Sequence, residues 1–150
     1  MLFKFPFFAQ LAIRLTLVEV TEKWLPTAAT DGRNMFYNPH FFKVLTQAEI
    51  TFVVAHEVLH CVYDHMTPMK SGDFDPKLLN CAADFNINLE LIKNKIGEMP
   101  AIGLLDSNMM AGTVLRFMQI LSSNVKKVHC LLKCKQWTFT STLMKMATLK

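Results

Sequence analysis

His56, Glu57 and His60 stand in the order H-E-x-x-H within the run "FVVAHEVLHCVYDH", Phe52 to His65. Two imidazoles and a carboxylate in an apolar helical segment cost desolvation free energy unless something compensates them, and a bound metal ion is one such compensation. Four helical residues advance about 400°, so both imidazoles leave one face about 6 Å apart along the axis, within reach of one ion. Zinc, Zn2+, is the expected metal, because it accepts neutral imidazole nitrogens and lowers the pKa of a bound water to about 7. Glu57, beside the first imidazole, is then placed to take that water's proton as general base and pass it to a leaving amine. The competing reading, coincidental polar residues on a helix, leaves a buried polar trio with nothing to satisfy it.

A catalytic zinc needs a third protein ligand, and three residues compete for the place. His65 is nine positions past His56, so an unbroken helix turns it about 180° away. The H-x-x-G-x-x-H arrangement depends on a glycine that "CVYD" lacks. Asp64 lies near the right face but about 12 Å from His56 along the axis. Asp84 sits in "LLNCAADFNIN", where Asn80, Asp84 and Asn88 recur every four residues as a polar stripe among Leu79, Ala83, Ile87 and Leu91. The small residues Cys81, Ala82 and Ala83 permit close helix approach, and Asn88 or Asn80 could orient a metal-bound histidine. Against this, the asparagines could simply meet solvent. The favoured metal set is His56, His60 and Asp84, with Asp64 and His65 as alternatives for the third place.

These residues need elements to hold them. Thr46 and Glu49 form a T-x-x-E capping box with Leu45 and Ile50 as a hydrophobic staple, and no Gly or Pro interrupts the chain from there to Met66. A helix through the H-E-x-x-H run follows. Asp75-Pro76 predicts the start of another helix, running to about Lys95 before Gly97. Upstream, Phe8, Leu11, Leu15 and Val18 recur at helical spacing, which predicts a first helix from Phe7 to about Trp24, ended by Pro26. Asp31-Gly32 marks a turn, and Met35 to Tyr37 reads as a short strand at a sheet edge. A further amphipathic helix is expected from Met109 to Leu121.

At 150 residues and 51% hydrophobic content the chain suits one compact domain. The N-terminal run "MLFKFPFFAQLAIRL" imitates a signal peptide, but Gln10 interrupts it, and an amphipathic helix is the expectation. No stretch of 18 residues stays free of charge, so no membrane span is expected. Cys61, Cys81, Cys130 and Cys134 show neither CxxC pairing nor the density of a disulfide scaffold, which suits a reducing cytoplasm. His129 with Cys130 and Cys134 hints at metal binding only as helical neighbours do. Charge is uneven: residues 1–106 hold all 12 acidic and 9 of the 16 basic residues, and the remainder holds 7 bases and no acid. That separates an expected domain over 1–108 from a basic extension over 109–150, which could contact nucleic acid.

The runs "PTAATDGRNMFYNPHFF", "AHEVLH" and "NCAADFNIN" together resemble the metallopeptidase domain of bacteria and phages that often precedes a von Willebrand factor A-like domain. The resemblance spans roughly Phe7 to Asn108. It implies an α+β, mostly helical zincin-like fold with a small sheet, and a third ligand from the "AAD" segment in the manner of gluzincins. It maps the metal residues onto His56, His60 and Asp84 and the catalytic residue onto Glu57.

Three functions fit this reading. The first is a zinc metallopeptidase acting on a peptide or protein, with strand addition near Met35 to Tyr37 holding the substrate. The second is a non-catalytic, zinc-stabilised binding module in which Lys126, Lys127, Lys133 and Lys135, near Trp137 and Phe139, recruit nucleic acid. The third is another zinc-dependent hydrolase using the same activated water.

Overall fold

A computed structural model of the chain describes residues 5–67 and 76–103. The expected 1–108/109–150 boundary, the Met109–Leu121 helix, the basic extension and Cys130 and Cys134 lie outside the described residues. Within them the architecture mixes helices with one small sheet. The order is α1 (Pro6–Ala12), β1 (Thr16–Glu19), β2 (Ala28–Thr30), β3 (Asn34–Tyr37), α2 (Pro39–Phe42), α3 (Gln47–Val62) and α4 (Pro76–Lys93).

The predicted first helix is corrected by this order, since it covers only seven residues and the chain beyond it enters a strand. Leu15 and Val18 fit a helical spacing, but Thr16-Leu17-Val18-Glu19-Val20 also alternates and is rich in β-branched residues, whose stiff side chains suit a pleated surface. Pairing decides the matter: β1 lies parallel to β3 with Val18 opposite Phe36, a contact no local spacing encodes.

β3 is likewise corrected from edge to centre, because the sheet order is β1-β3-β2. It starts one residue earlier than expected, at Asn34, and pairs antiparallel with β2, Ala29 opposite Phe36. The turn joining β2 and β3 is the expected Asp31-Gly32. The Asp31 carboxylate accepts from the backbone N–H of Arg33 (2.8 Å) and Asn34 (2.7 Å) and from the Asn34 amide (2.8 Å). Gly32 takes φ +92°, open to it for want of a Cβ. One face of the sheet, through Ala28 and Met35, joins the core with Val53, Leu78, Ala82 and Phe85. The other, through Ala29, Val18 and Phe36, is covered by Val20, Trp24 and Leu25.

Asn38 starts the short α2, accepting from the His40 N–H at 2.9 Å while its own amide donates to the Leu25 carbonyl at 2.9 Å. α3 begins as its sequence predicts, with Thr46 Oγ1 accepting from the Glu49 N–H (3.2 Å) and Glu49 Oε2 accepting from the Thr46 N–H (2.8 Å). Such a reciprocal cap contributes about 1 kcal/mol. The helix stops at Val62, short of the expected Met66. Tyr63 caps it and Asp64 turns left-handed at φ 48°, so the His65 N–H reaches back to the His60 carbonyl at 3.2 Å. α4 carries Pro76 at its start and ends at Lys93, with left-handed Lys95 and Gly97 beyond. Phe52, Ala55 and Leu59 of α3 bury with Ile87 and Leu91 of α4 and with Ile96, closing a second core on the far side of the helix pair.

Candidate metal centre

α3 is the central element, packed on α4, α1 and β2. Its cross-helix polar pairs, His56 with Asn88 and His60 with Asp84, run in opposite senses along the chain, so the two helices are antiparallel here. Ala82, Ala83 and Ala55 are fully buried, and their small side chains let the helices approach closely; Cys81, equally buried, is disulfide-bonded, which corrects the reading of the cysteines as unpaired thiols. Between the two apolar clusters the polar stripe Asn80, Asp84 and Asn88 faces α3 rather than solvent, each residue no more than 2% exposed.

Three of the four predicted site residues bring donor atoms together. His60 Nε2 lies 3.0 Å from His56 Nε2 and 3.0 Å from Asp84 Oδ1, and His56 Nε2 lies 3.4 Å from the same oxygen. A tetrahedral ion with ligand bonds of about 2.0–2.1 Å holds neighbouring donor atoms about 3.3 Å apart. The triangle fits that spacing. Among the described residues this is the one group of three or more such side chains close enough to hold a metal ion.

The opposite atom of each of the three is tied to a partner. His56 Nδ1 is 2.8 Å from Asn88 Oδ1; an amide oxygen only accepts, so the imidazole carries its proton on Nδ1 and turns Nε2 inward. The Asn80 amide donates to Asp84 Oδ2 at 3.0 Å, leaving Oδ1 for the centre. Asn88 therefore does orient a histidine, whereas Asn80 backs the carboxylate. His60 Nδ1 is 3.2 Å from His65 Nδ1.

The electrostatics show what the cluster attracts. Burial works against a charged His56, but the hydrogen bond and charge of Asp84 more than offset it and raise its pKa. Burial likewise favours protonating Asp84, yet hydrogen bonds from His56 and His60 hold its pKa below the ordinary value. Both shifts express attraction for positive charge at one point between the helices. Glu57 is 3% exposed. Burial raises its pKa, with Asp84 adding to the rise and the two imidazoles opposing it. Among the described residues no side chain hydrogen-bonds its carboxylate, and the charges of His56, His60 and Asp84 all act on it.

The two alternative third residues fall elsewhere. Asp64 is exposed and accepts from Thr67 Oγ1 at 2.9 Å. His65 is not turned away, which corrects the unbroken-helix expectation: the left-handed Asp64 swings it back until its ring lies edge-on to His60, centroids 5.2 Å apart. It is 6% exposed, and burial first, then the neighbouring imidazoles, pull its pKa down to about 4. Sequence reasoning missed this contact. The available signal was Asp64 itself, one of the few non-glycine types that enter the left-handed region readily. Cys61, half-buried, donates to the Glu57 carbonyl and touches Thr30 Oγ1, both at 3.4 Å; burial pushes its thiol pKa up, which makes it a poor nucleophile.

No helix among the described residues is long and apolar enough to cross a membrane. A sequence profile of the family described as "Putative metallopeptidase domain" matches residues 1–116, a span that holds the whole cluster. No curated protein and no solved structure matches the chain.

Proposed function

Because the chain belongs to this family of metallopeptidase domains, we propose that it is a zinc-dependent peptidase of zincin-like, gluzincin-like design, with His56, His60 and Asp84 as metal ligands and Glu57 as general base. The observation that carries this reading is the 3.0, 3.0 and 3.4 Å triangle of donor atoms, each aimed inward by a partner on its far side. When bound, zinc would supply a Lewis acid and a water with a pKa near 7.

The chain's own residues divide the remaining work. Asn88 and Asn80 fix the orientations of His56 and Asp84. Glu57, buried and without a hydrogen-bonding side chain among the described residues, receives a proton on its carboxylate and returns it to the leaving amine; burial raises its pKa, which favours holding that proton in between. The apolar walls on both sides of the stripe keep bulk water from screening these groups.

Among the described residues three ligands rather than four come together, which favours catalysis over the zinc-stabilised module. A structural zinc is closed by four protein ligands, and a catalytic one leaves a place open. His65 is not among the close donor atoms: its Nδ1 faces the Nδ1 of His60, on the far side of that ring from Nε2. Strand addition to β3, as first expected, is closed because β1 and β2 occupy both its edges, so an extended substrate is left to the outer strands.

The test is Glu57→Gln. It should lower hydrolysis of a peptide substrate by about 10²–10⁴-fold, the usual contribution of a general base, while zinc content stays stoichiometric. A variant that cleaves as fast as wild type would remove Glu57 from the mechanism.

A further inference from the structure

We infer that His65 is a positioning residue for this centre: its Nδ1 accepts the Nδ1 proton of His60 and thereby aims the His60 Nε2 lone pair at the metal. The inference rests on the metal-centre reading above and adds a residue that nothing in the H-E-x-x-H pattern designates.

The Nδ1 atoms of His60 and His65 face each other at 3.2 Å. A hydrogen bond between two imidazole Nδ1 atoms needs one proton, so one ring donates and the other accepts. Which does which is set from the far side of His60. Its Nε2 is committed to the cluster, 3.0 Å from both His56 Nε2 and Asp84 Oδ1. A ligand nitrogen there carries a lone pair, so the His60 proton sits on Nδ1 and His65 is the acceptor.

The backbone is shaped to make this contact. Left-handed Asp64 ends α3, the His65 N–H bonds to the His60 carbonyl at 3.2 Å, and Thr67 Oγ1 donates to the Asp64 carboxylate at 2.9 Å. The His65 ring is thereby packed between His60 and Tyr63, with centroids 5.2 Å and 5.6 Å away. Asn88 serves His56 and Asn80 serves Asp84; His65 completes the set, one backing partner for each of the three donors. Outer partners of this kind are worth about 10–100-fold in metal affinity.

Two substitutions separate an acceptor from mere bulk. In asparagine Oδ1 stands at the same bond distance from Cβ as histidine Nδ1, so His65→Asn keeps an acceptor in place. His65→Leu fills similar space with none. Zinc affinity is measured by competition with a chromophoric chelator on the full chain, with far-UV circular dichroism reporting the fold. The expected result is a loss of about 10–100-fold for His65→Leu and recovery to within a few-fold of wild type for His65→Asn. A leucine variant that binds as tightly as wild type overturns the inference, as does an asparagine variant no tighter than the leucine one. Should the leucine variant not fold, ¹⁵N spectra of the zinc-loaded wild type decide: a His60 without a proton on Nδ1 overturns it. Failure of the wild type itself to bind zinc would instead strike the metal-centre reading.

Discussion

Asn88 is a residue whose removal exposes the logic of the centre without touching a proposed ligand. It is fully buried and holds His56 by a 2.8 Å bond from Nδ1. Asn88→Ala leaves that N–H without its partner and frees the ring to turn. Zinc affinity should fall about 10–100-fold, and stability by about 1–3 kcal/mol, the cost of an unsatisfied buried donor. Competition titration and denaturant unfolding read the two effects separately. Unchanged zinc affinity would mean that the His56 ring is held by packing alone. The stripe to which Asn88 belongs was legible in the sequence because a four-residue recurrence is a local property of a helix, and an apolar surround marks such a stripe as buried. The role of His65 was not legible: it depends on one backbone torsion, at Asp64, that residue type biases but does not dictate.

Elements carry their own tests, because two glycines with the same substitution should behave differently. Gly97 takes φ +68°, and a Cβ there would lie 2.6 Å from both the Ala48 carbonyl oxygen and the Phe52 nitrogen. The chain after α4 is pressed against the first turns of α3, where the Glu98 N–H bonds to the Ala48 carbonyl at 3.1 Å. Gly32 takes φ +92° but a Cβ there meets nothing within 4 Å. Gly32→Ala should therefore cost only the backbone penalty of about 1–2 kcal/mol, and Gly97→Ala clearly more, as read by denaturant midpoints. Equal losses would show that the contact with α3 yields easily. The β2–β3 hairpin makes a pH prediction. Burial tends to raise the Asp31 pKa, but the hydrogen bonds from Asn34 and Arg33 outweigh it and hold it below the ordinary aspartate value. A depressed folded-state pKa adds stability above the unfolded value, and that stability disappears as pH falls through the folded one. Asp31→Asn should accordingly be less stable than wild type at neutral pH by about 1 kcal/mol, given the partial exposure of the turn, with the gap closing in acid. A gap that persists below the aspartate range would assign it to turn shape rather than charge. Turn and caps were readable because their signals lie within four residues. β1 was not, since its strand conformation is selected by pairing with β3 across the intervening β2.

At the scale of the whole molecule the proposed centre joins two halves of the described fold. α3 supplies the two imidazoles and α4 the carboxylate, one apolar cluster ties the pair to the sheet, and the other closes its far side. Tyr63 at the end of α3 adds a hydrogen bond to Glu90 of α4, which together with burial pushes the tyrosine pKa up to about 12. The donor atoms thus lie on two packed helices, which is what a site gains from rigid elements rather than loops. The most direct measurement is crystallography of the zinc-loaded protein with anomalous scattering at the zinc edge. A single strong peak is expected at about 2.0–2.2 Å from His56 Nε2, His60 Nε2 and one Asp84 carboxylate oxygen, with a fourth position not filled by a protein side chain. A peak that excludes Asp84, one closed by four protein ligands, or no peak between the two helices would contradict the proposed centre.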